Sequence, residues 1–273
     1  MSRDNAALRE RIYSGVIHQD PPTAASREAV GAALQVLENE LGTKDVRLAH
    51  THFTPDEFFR RIGHVRRKLF MEAEWHERVR NIAKEAGFDA SQIAFDPIRL
   101  RVISSGGHHN PLAQAVYYPH RDTWYSHPQG IITWWIPLHD LGEDETFEIY
   151  PERFNTAVPN DSEIFDYDDW VRDGWELKIG WQKQTSGVSA RYPTVIGQPP
   201  RGPAQTVQGQ AGDNLLFAGA HFHATRPLEN GTTRYSLDFR VVHLGDHDAG
   251  RGAPNVDARC RGSALRDYVS GIA

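Results

Sequence analysis

Apolar residues recur at three- and four-residue steps through the first third of the chain, and from about residue 93 they gather instead into short runs. Residues 26–41 (SREAVGAALQVLENEL) set Val30, Leu34, Leu37 and Leu41 on one helical face, with Gly42 as a stop. Thr54-Pro55-Asp56-Glu57 opens a second helix. Thr54 caps, Pro55 suits the first helical position, and Glu57 closes a capping box. That helix carries Phe58, Ile62, Val65, Leu69, Ala73, Val79 and Ala83 along one stripe and runs to Gly87. These helices, within residues 1–90, are expected to cover one side of a core; nothing in them carries recognisable chemistry.

The later runs are IAFDPIRLRVI, LAQAVYY, GIITWWIPL, TFEIY, NLLFAGAHFHA and TRYSLDFRVV. Each is short, rich in β-branched or aromatic residues, and bounded by Gly, Pro, Asn or Asp. Without helical patterns between them they predict an antiparallel sandwich or barrel, not a βαβ fold. The expected organisation is one domain over 1–273. It has a β core at 91–245 with an acidic insertion at 140–205, then a Gly-rich tail at 246–273 ending in a short helix. His247 in that tail is expected to be exposed.

Composition removes several classes. The single cysteine, Cys260, excludes an internal disulfide or a multi-cysteine metal site. No apolar run approaches the ~18 residues that cross a bilayer, so no membrane partner is expected. The polar N-terminus does not read as a secretory leader, and a cytoplasmic protein is expected. A pI near 6.1 argues against nucleic acid as a partner. Charge is unevenly spread. Asp140 to Glu176 holds thirteen acids and two bases, a net of −11, so the remainder of the chain sums to +5. The stretch reads either as a solvated surface insertion or as a lid that attracts a cationic or hydroxyl-rich ligand.

Candidate chemistry begins at His120-Arg121-Asp122. On a strand or its end, residues two apart point to one side and can share a metal ion. Fourteen His and 36 acids in this length give about two His-x-acid matches by chance, so the spacing alone decides nothing. The other match, His18-Gln19-Asp20, lies in a polar stretch before Pro21-Pro22. His120-Asp122, between two strand-like runs, has the more rigid context. After the strand-like NLLFAGA, His221 and His223 project to one face, and either could be a third ligand. Two imidazoles and one carboxylate form the facial triad of non-haem Fe(II) oxygenases, with open positions for co-substrate and O₂. Arg234 and Ser236 then face one way on a strand. Either Arg234 pairs with one of the chain's acids, or the two grip the far carboxylate of a dicarboxylate co-substrate. Trp124, Tyr125 and His127 follow Asp122 in a loop; Trp124 and Tyr125 are expected at a pocket mouth. Of Trp134 and Trp135, one should pack in the core and the other face the cavity or solvent. His108-His109 reads as a turn.

Together PHRD, WWIPLHDL through YPERF, GDNLLF, HATRPLEN and TRYSLDFR resemble the Fe(II)/2-oxoglutarate-dependent dioxygenases of the phytanoyl-CoA-hydroxylase-like branch, over roughly residues 93–243. The resemblance implies a mainly β fold, a double-stranded β-helix (jelly roll, cupin-like) with N-terminal helices packed on one sheet. It implies Fe(II) held by His120, Asp122 and His223, 2-oxoglutarate anchored by Arg234 and Ser236, and O₂ as oxidant. His223 suits the family pattern through its distance to Arg234 and the small Ala224-Thr225 after it; His221 is the alternative ligand. Pro-Glu-Arg-Phe at 151–154 departs from the family's usual Pro-Gly-Ser-His and bears on substrate shape. Within the branch the chain is similar to bacterial oxygenases of orthosomycin and aminoglycoside antibiotic biosynthesis. That implies a small-molecule, sugar-containing substrate, an oligosaccharide or aminoglycoside, which is hydroxylated or ring-closed to an orthoester or methylenedioxy group. Trp124, Tyr125 and Trp135 are the candidate substrate residues. Two other readings are a metal-dependent cupin-type sugar isomerase or epimerase, which has no use for the Arg234–Ser236 anchor, and a non-catalytic carbohydrate-binding jelly roll.

Overall fold

The computed structural model describes residues 5–142, 144–178, 192–199 and 202–272. Helices α1 (Ala6–Tyr13), α2 (Ala24–Leu41), α3 (Pro55–Met71) and α4 (Ala73–Glu85) come first, with strand β1 (His18–Asp20) between the first two. Thr23 and Ser26 cap α2 reciprocally, and Gly42 ends it in the left-handed region at φ 67°. Thr54 caps α3, its hydroxyl accepting from the Glu57 amide at 3.3 Å. The expected capping box does not form, because the Glu57 carboxylate turns to Arg60 and Arg61 instead. Nor is the helix continuous to Gly87. Glu72 is extended (φ −82°, ψ 134°) and separates α3 from α4. The break re-phases the buried stripe: from Leu69 it passes to Trp75, Val79 and Ile82, leaving Ala73 exposed.

The strands that follow are β2 (Ile93–Phe95), β3 (Arg99–Ser104), β4 (Ile131–Pro137), β5 (Phe147–Ile149), β6 (Gln205–Thr206), β7 (Asn214–Ala218), β8 (His223–Thr225), β9 (Thr233–His243) and β10 (Val269–Ser270). Helix α5 (Tyr167–Lys178) precedes β6, and α6 (Leu244–Asp248) follows β9. All strand pairs are antiparallel. One sheet runs β1-β7-β4-β9-β2-β10, with β3 also paired to β9; a smaller one runs β6-β5-β8.

The long strand β9 sorts the large sheet into two faces. Tyr235, Leu237, Phe239 and Val241, opposite Ile136, Trp134 and Ile132 of β4, join Leu37, Leu69 and Trp75 of the helices in the main core. Arg234, Ser236, Asp238 and Arg240 take the other face, level with Thr133 and Trp135 of β4 and with Arg99 and Arg101 of β3. The small sheet packs on that second face, Phe147 and Ile149 meeting Trp135, Leu215 and Phe217. The result is a β-rich antiparallel fold with helices on one side and a polar seam between two sheets.

Three further expectations are corrected. LAQAVYY is not a strand but lies in a 3-10 turn, Pro111–Tyr117. Proline has no amide hydrogen for a ladder, and the Ala113 amide closes locally onto the Asn110 carbonyl at 2.9 Å. The stretch 140–205 is not wholly an insertion, since β5 is paired on both edges; within it, 143, 179–191 and 200 lie outside the described residues, as does 201. The tail does carry a short helix, the 3-10 turn Ala264–Asp267, but ends in β10, paired to β2. Among the described residues no helix is long and apolar enough to cross a membrane.

The acidic run meets its counter-charge at the end of the chain. Glu163 pairs with Arg259 (2.7 Å), Asp166 with Arg261 (3.3 Å) and Asp168 with Arg266 (2.6 Å). Upstream, buried Glu145 accepts from Arg47, Asn230 and Thr232. These described acids are tied to bases and amides of the chain itself.

Candidate metal centre and cavity

His120 and His223 lie directly opposite one another in an antiparallel bridge, each backbone amide donating to the other's carbonyl at 2.9 Å. Opposed residues of such a pair share a face, and the two rings stand 4.3 Å apart. Asp122 opens the 3-10 turn Asp122–Tyr125 beneath them. One ligand atom from each of the three lies within 4.8 Å of the others, so the group could hold a metal ion. The Nδ1 atoms of His120 and His223 face the carbonyls of Tyr118 (2.7 Å) and His221 (3.0 Å). A carbonyl only accepts, so Nδ1 carries the hydrogen and the Nε2 lone pairs are left for a metal.

The charge states fit that use. Burial, reinforced by His120, pushes the His223 imidazole down to about 3, which keeps it neutral at physiological pH. Burial opposes ionisation of Asp122, but Arg240 and His120 outweigh it and hold the carboxyl well below its ordinary range. Arg240 Nη2 donates to Oδ1 at 3.0 Å and Nε to Oδ2 at 3.3 Å, while the Thr133 hydroxyl donates to Oδ2 at 2.5 Å. Arg240 also pairs with Asp96 (3.4 Å) and Asp238 (3.1 Å). The sequence reading missed Arg240 and Thr133. The signal was present: Arg234, Ser236, Asp238 and Arg240 alternate without a break against apolar residues.

Arg234 and Ser236 lie further along the same face. Both are buried, and Arg234 Nε and Ser236 Oγ have no hydrogen-bond partner. Burial, with Arg101 nearby, lowers the guanidinium to about 10, still cationic at neutral pH. Among the described residues no acid pairs with Arg234; its guanidinium stands 5.9 Å from the Trp135 ring centre. Buried donors left open cost about 1–3 kcal/mol each, so the pair is built to receive an acceptor.

A cavity of about 550 Å³ joins these groups. His120, Asp122 and His223 line it, as do Arg234, Tyr125 and Trp135, with Phe165, Tyr167, Trp170 and Tyr192 on one wall. Trp124 does not belong to it. Its ring is fully buried, 6.0 Å from Phe222, and its indole N–H donates to Asp257 at 2.8 Å, which turns it away from the pocket expected for it. Trp134 sits in the core, stacked 5.3 Å from Phe239. His221 is also removed from the metal group. It is fully buried against Phe154, and its two nitrogens face the carbonyls of Ala218 and Gly15, each at 3.1 Å. His18 and Asp20 pair with each other, at 2.9 Å on β1, away from the metal group. His108, His109 and Glu229 form a second, more exposed group that could hold a metal.

No family model matches the chain, and no curated protein matches it. Among solved structures it is similar to EvdO2 from Micromonospora carbonacea var. aurantiaca, at 14% identity over 88% of this chain and 91% of that one, with a TM-score of 0.50. EvdO2 complexed with 2-oxoglutarate gives a TM-score of 0.49 at the same identity and coverage. The non-heme monooxygenase ThoJ, in its apo form, is 13% identical over 94% and 89% of the two chains, with a TM-score of 0.46. At such identities the likeness is one of architecture: the chain is similar in fold to EvdO2.

Proposed function

We propose that the chain is an Fe(II)- and 2-oxoglutarate-dependent oxygenase, one domain built on a double-stranded β-helix. One observation carries the reading. A two-histidine, one-carboxylate group and the buried Arg234, whose Nε has no partner, line the same cavity, and the unpartnered Ser236 hydroxyl lies two residues from Arg234 on the same face of β9. His120, Asp122 and His223 would hold the metal, and Arg234 with Ser236 would take the distal carboxylate of 2-oxoglutarate. Iron with its co-substrate and O₂ would supply the oxidising power that breaks a substrate C–H bond. The chain's own residues position. Tyr118 and His221 carbonyls fix the two rings, Thr133 and Arg240 fix Asp122, and the aromatic wall keeps water from the reacting carbon.

The substrate we propose is a sugar-containing natural product, oxidised by hydroxylation or ring closure. The aromatic faces of Tyr125, Tyr167 and Trp170 suit the C–H face of a sugar ring. The described acids at 163–168 face arginines of the chain, so they do not call for a cationic substrate.

The test is an anaerobic titration of metal-free protein with Fe(II) and 2-oxoglutarate. A weak visible charge-transfer band that needs both, and is lost in Arg234→Ala, supports the oxygenase. Tight metal binding with no band and no dependence on 2-oxoglutarate would favour a metal-dependent sugar isomerase. With candidate oligosaccharides, a product lighter by two hydrogens marks ring closure and one heavier by an oxygen marks hydroxylation.

A further inference from the structure

The oxygenase reading commits Arg234 to the co-substrate, yet the same cavity presents another guanidinium. On that reading, we propose that Arg101 forms a second carboxylate site, which docks an anionic group of the substrate.

Arg101 lies on β3 directly opposite Ser236 of β9, so its side chain enters the cavity beside the proposed anchor. One edge of its guanidinium is taken: Nε and Nη2 donate to the two oxygens of Asp238 at 2.8 and 2.9 Å. Asp238 is buried, whereas the Arg101 side chain keeps 37% of its surface. The open edge, with Nη1 and the second hydrogen of Nη2, therefore faces the cavity. A guanidinium clamped along one edge loses little freedom when it binds a planar carboxylate along the other.

Charge points the same way. Asp238 is shared, since Arg240 also lies 3.1 Å from it. Asp238 therefore divides its charge between Arg101 and Arg240, although Arg240 also has Asp122 and Asp96. Arg66 of α3 lines the same wall and donates through Nε to the carbonyl of Leu100, the neighbour of Arg101. The guanidinium groups of Arg101 and Arg234 belong to different strands. Arg234 leans toward Trp135 on β4, and Arg101 stands on the opposite flank of β9. The site selects a carboxylate-bearing molecule whose body rests on the Tyr125 side of the cavity.

Benzoate and benzamide, matched in shape and differing in charge, are the probes. Their binding to protein loaded with Ni(II) and 2-oxoglutarate is read by tryptophan fluorescence and calorimetry. Benzoate should bind at least about tenfold tighter than benzamide. Arg101→Gln should erase that difference while leaving benzamide binding unchanged, and Arg101→Lys should retain part of it. Equal binding of the two probes, no benzoate binding, or a preference that survives Arg101→Gln would overturn the proposal. A preference lost only in Arg234→Gln would overturn it too, by placing the probe in the co-substrate anchor. Failure of 2-oxoglutarate itself to bind would instead sink the oxygenase reading, and the Arg101-dependent preference can still be measured on unloaded protein.

Discussion

Arg240 spans both oxygens of Asp122, Nη2 at 3.0 Å from one and Nε at 3.3 Å from the other, in a fully buried pair that also draws in Asp96 and Asp238. Removing the guanidinium takes from Asp122 its arginine and from Asp96 and Asp238 one of two arginines each, since Arg99 and Arg101 stay with those two. Arg240→Met is expected to cost about 3–5 kcal/mol of folding stability in metal-free protein. Adding Asp122→Asn should restore part of it. Urea unfolding of the two variants checks this, and an Arg240→Met protein as stable as wild type would mean the network is not held through Arg240.

Arg234→Ala should separate binding from stability. The variant gives up a buried group whose Nε has no partner, so ligand-free protein should melt at the same temperature or higher. Affinity for 2-oxoglutarate should fall by about a hundredfold, the worth of a charge-assisted pair. Thermal melts with and without 2-oxoglutarate read both effects. A variant that destabilises the free protein would show that Arg234 serves the fold.

His221 and His223 should respond in opposite ways. His221, buried between two carbonyls and Phe154, should lose about 2–3 kcal/mol of stability on change to Ala and keep its metal affinity. His223→Ala should weaken metal binding by at least about a hundredfold, with a small effect on folding. Metal titration beside chemical denaturation makes the comparison, and the reverse pattern would return the ligand role to His221.

Asp246 gives a pH signature away from the cavity. It accepts from Arg9 Nε (2.7 Å), Arg251 Nη2 (2.6 Å) and the Tyr13 hydroxyl (3.2 Å), joining α1 to α6. Burial resists its ionisation, but Arg9 and Arg251 prevail and hold it at about 2 against an ordinary 3.8. A depressed carboxyl stabilises the fold above its unfolded value, and the gain disappears as pH falls toward 2. Asp246→Asn should therefore cost about 2 kcal/mol at pH 7 and nothing near pH 2. A cost independent of pH would show that the loss comes from packing rather than charge.

What was legible in the chain was the alternation. TRYSLDFRVV lies within one long strand with its charged residues on one face, and His120 and Asp122 reach the same cluster as His223. What failed were readings that depend on tertiary partners. LAQAVYY has the composition of a strand and finds no neighbour to pair with. Nothing local marks the break at Glu72, which exists because Trp75 packs inward. Trp124 follows a metal-ligand motif as a pocket residue should, yet Asp257, 133 positions away, takes its indole N–H. The net −11 stretch looked like an attractive surface because the arginines that answer it come nearly a hundred residues later.

The central place of β9 has a consequence for how the molecule is made. It joins β2, β3 and β4, all synthesised long before it, through contacts such as Arg101–Asp238 that span 137 residues. A nascent chain released before residue 243 has its flanking strands and helices but not the strand that binds them. The sheet can therefore close only once β9 has been made, about 110 residues after β4, and until then the apolar faces of β4 and the helices stay uncovered and exposed to chaperones and aggregation.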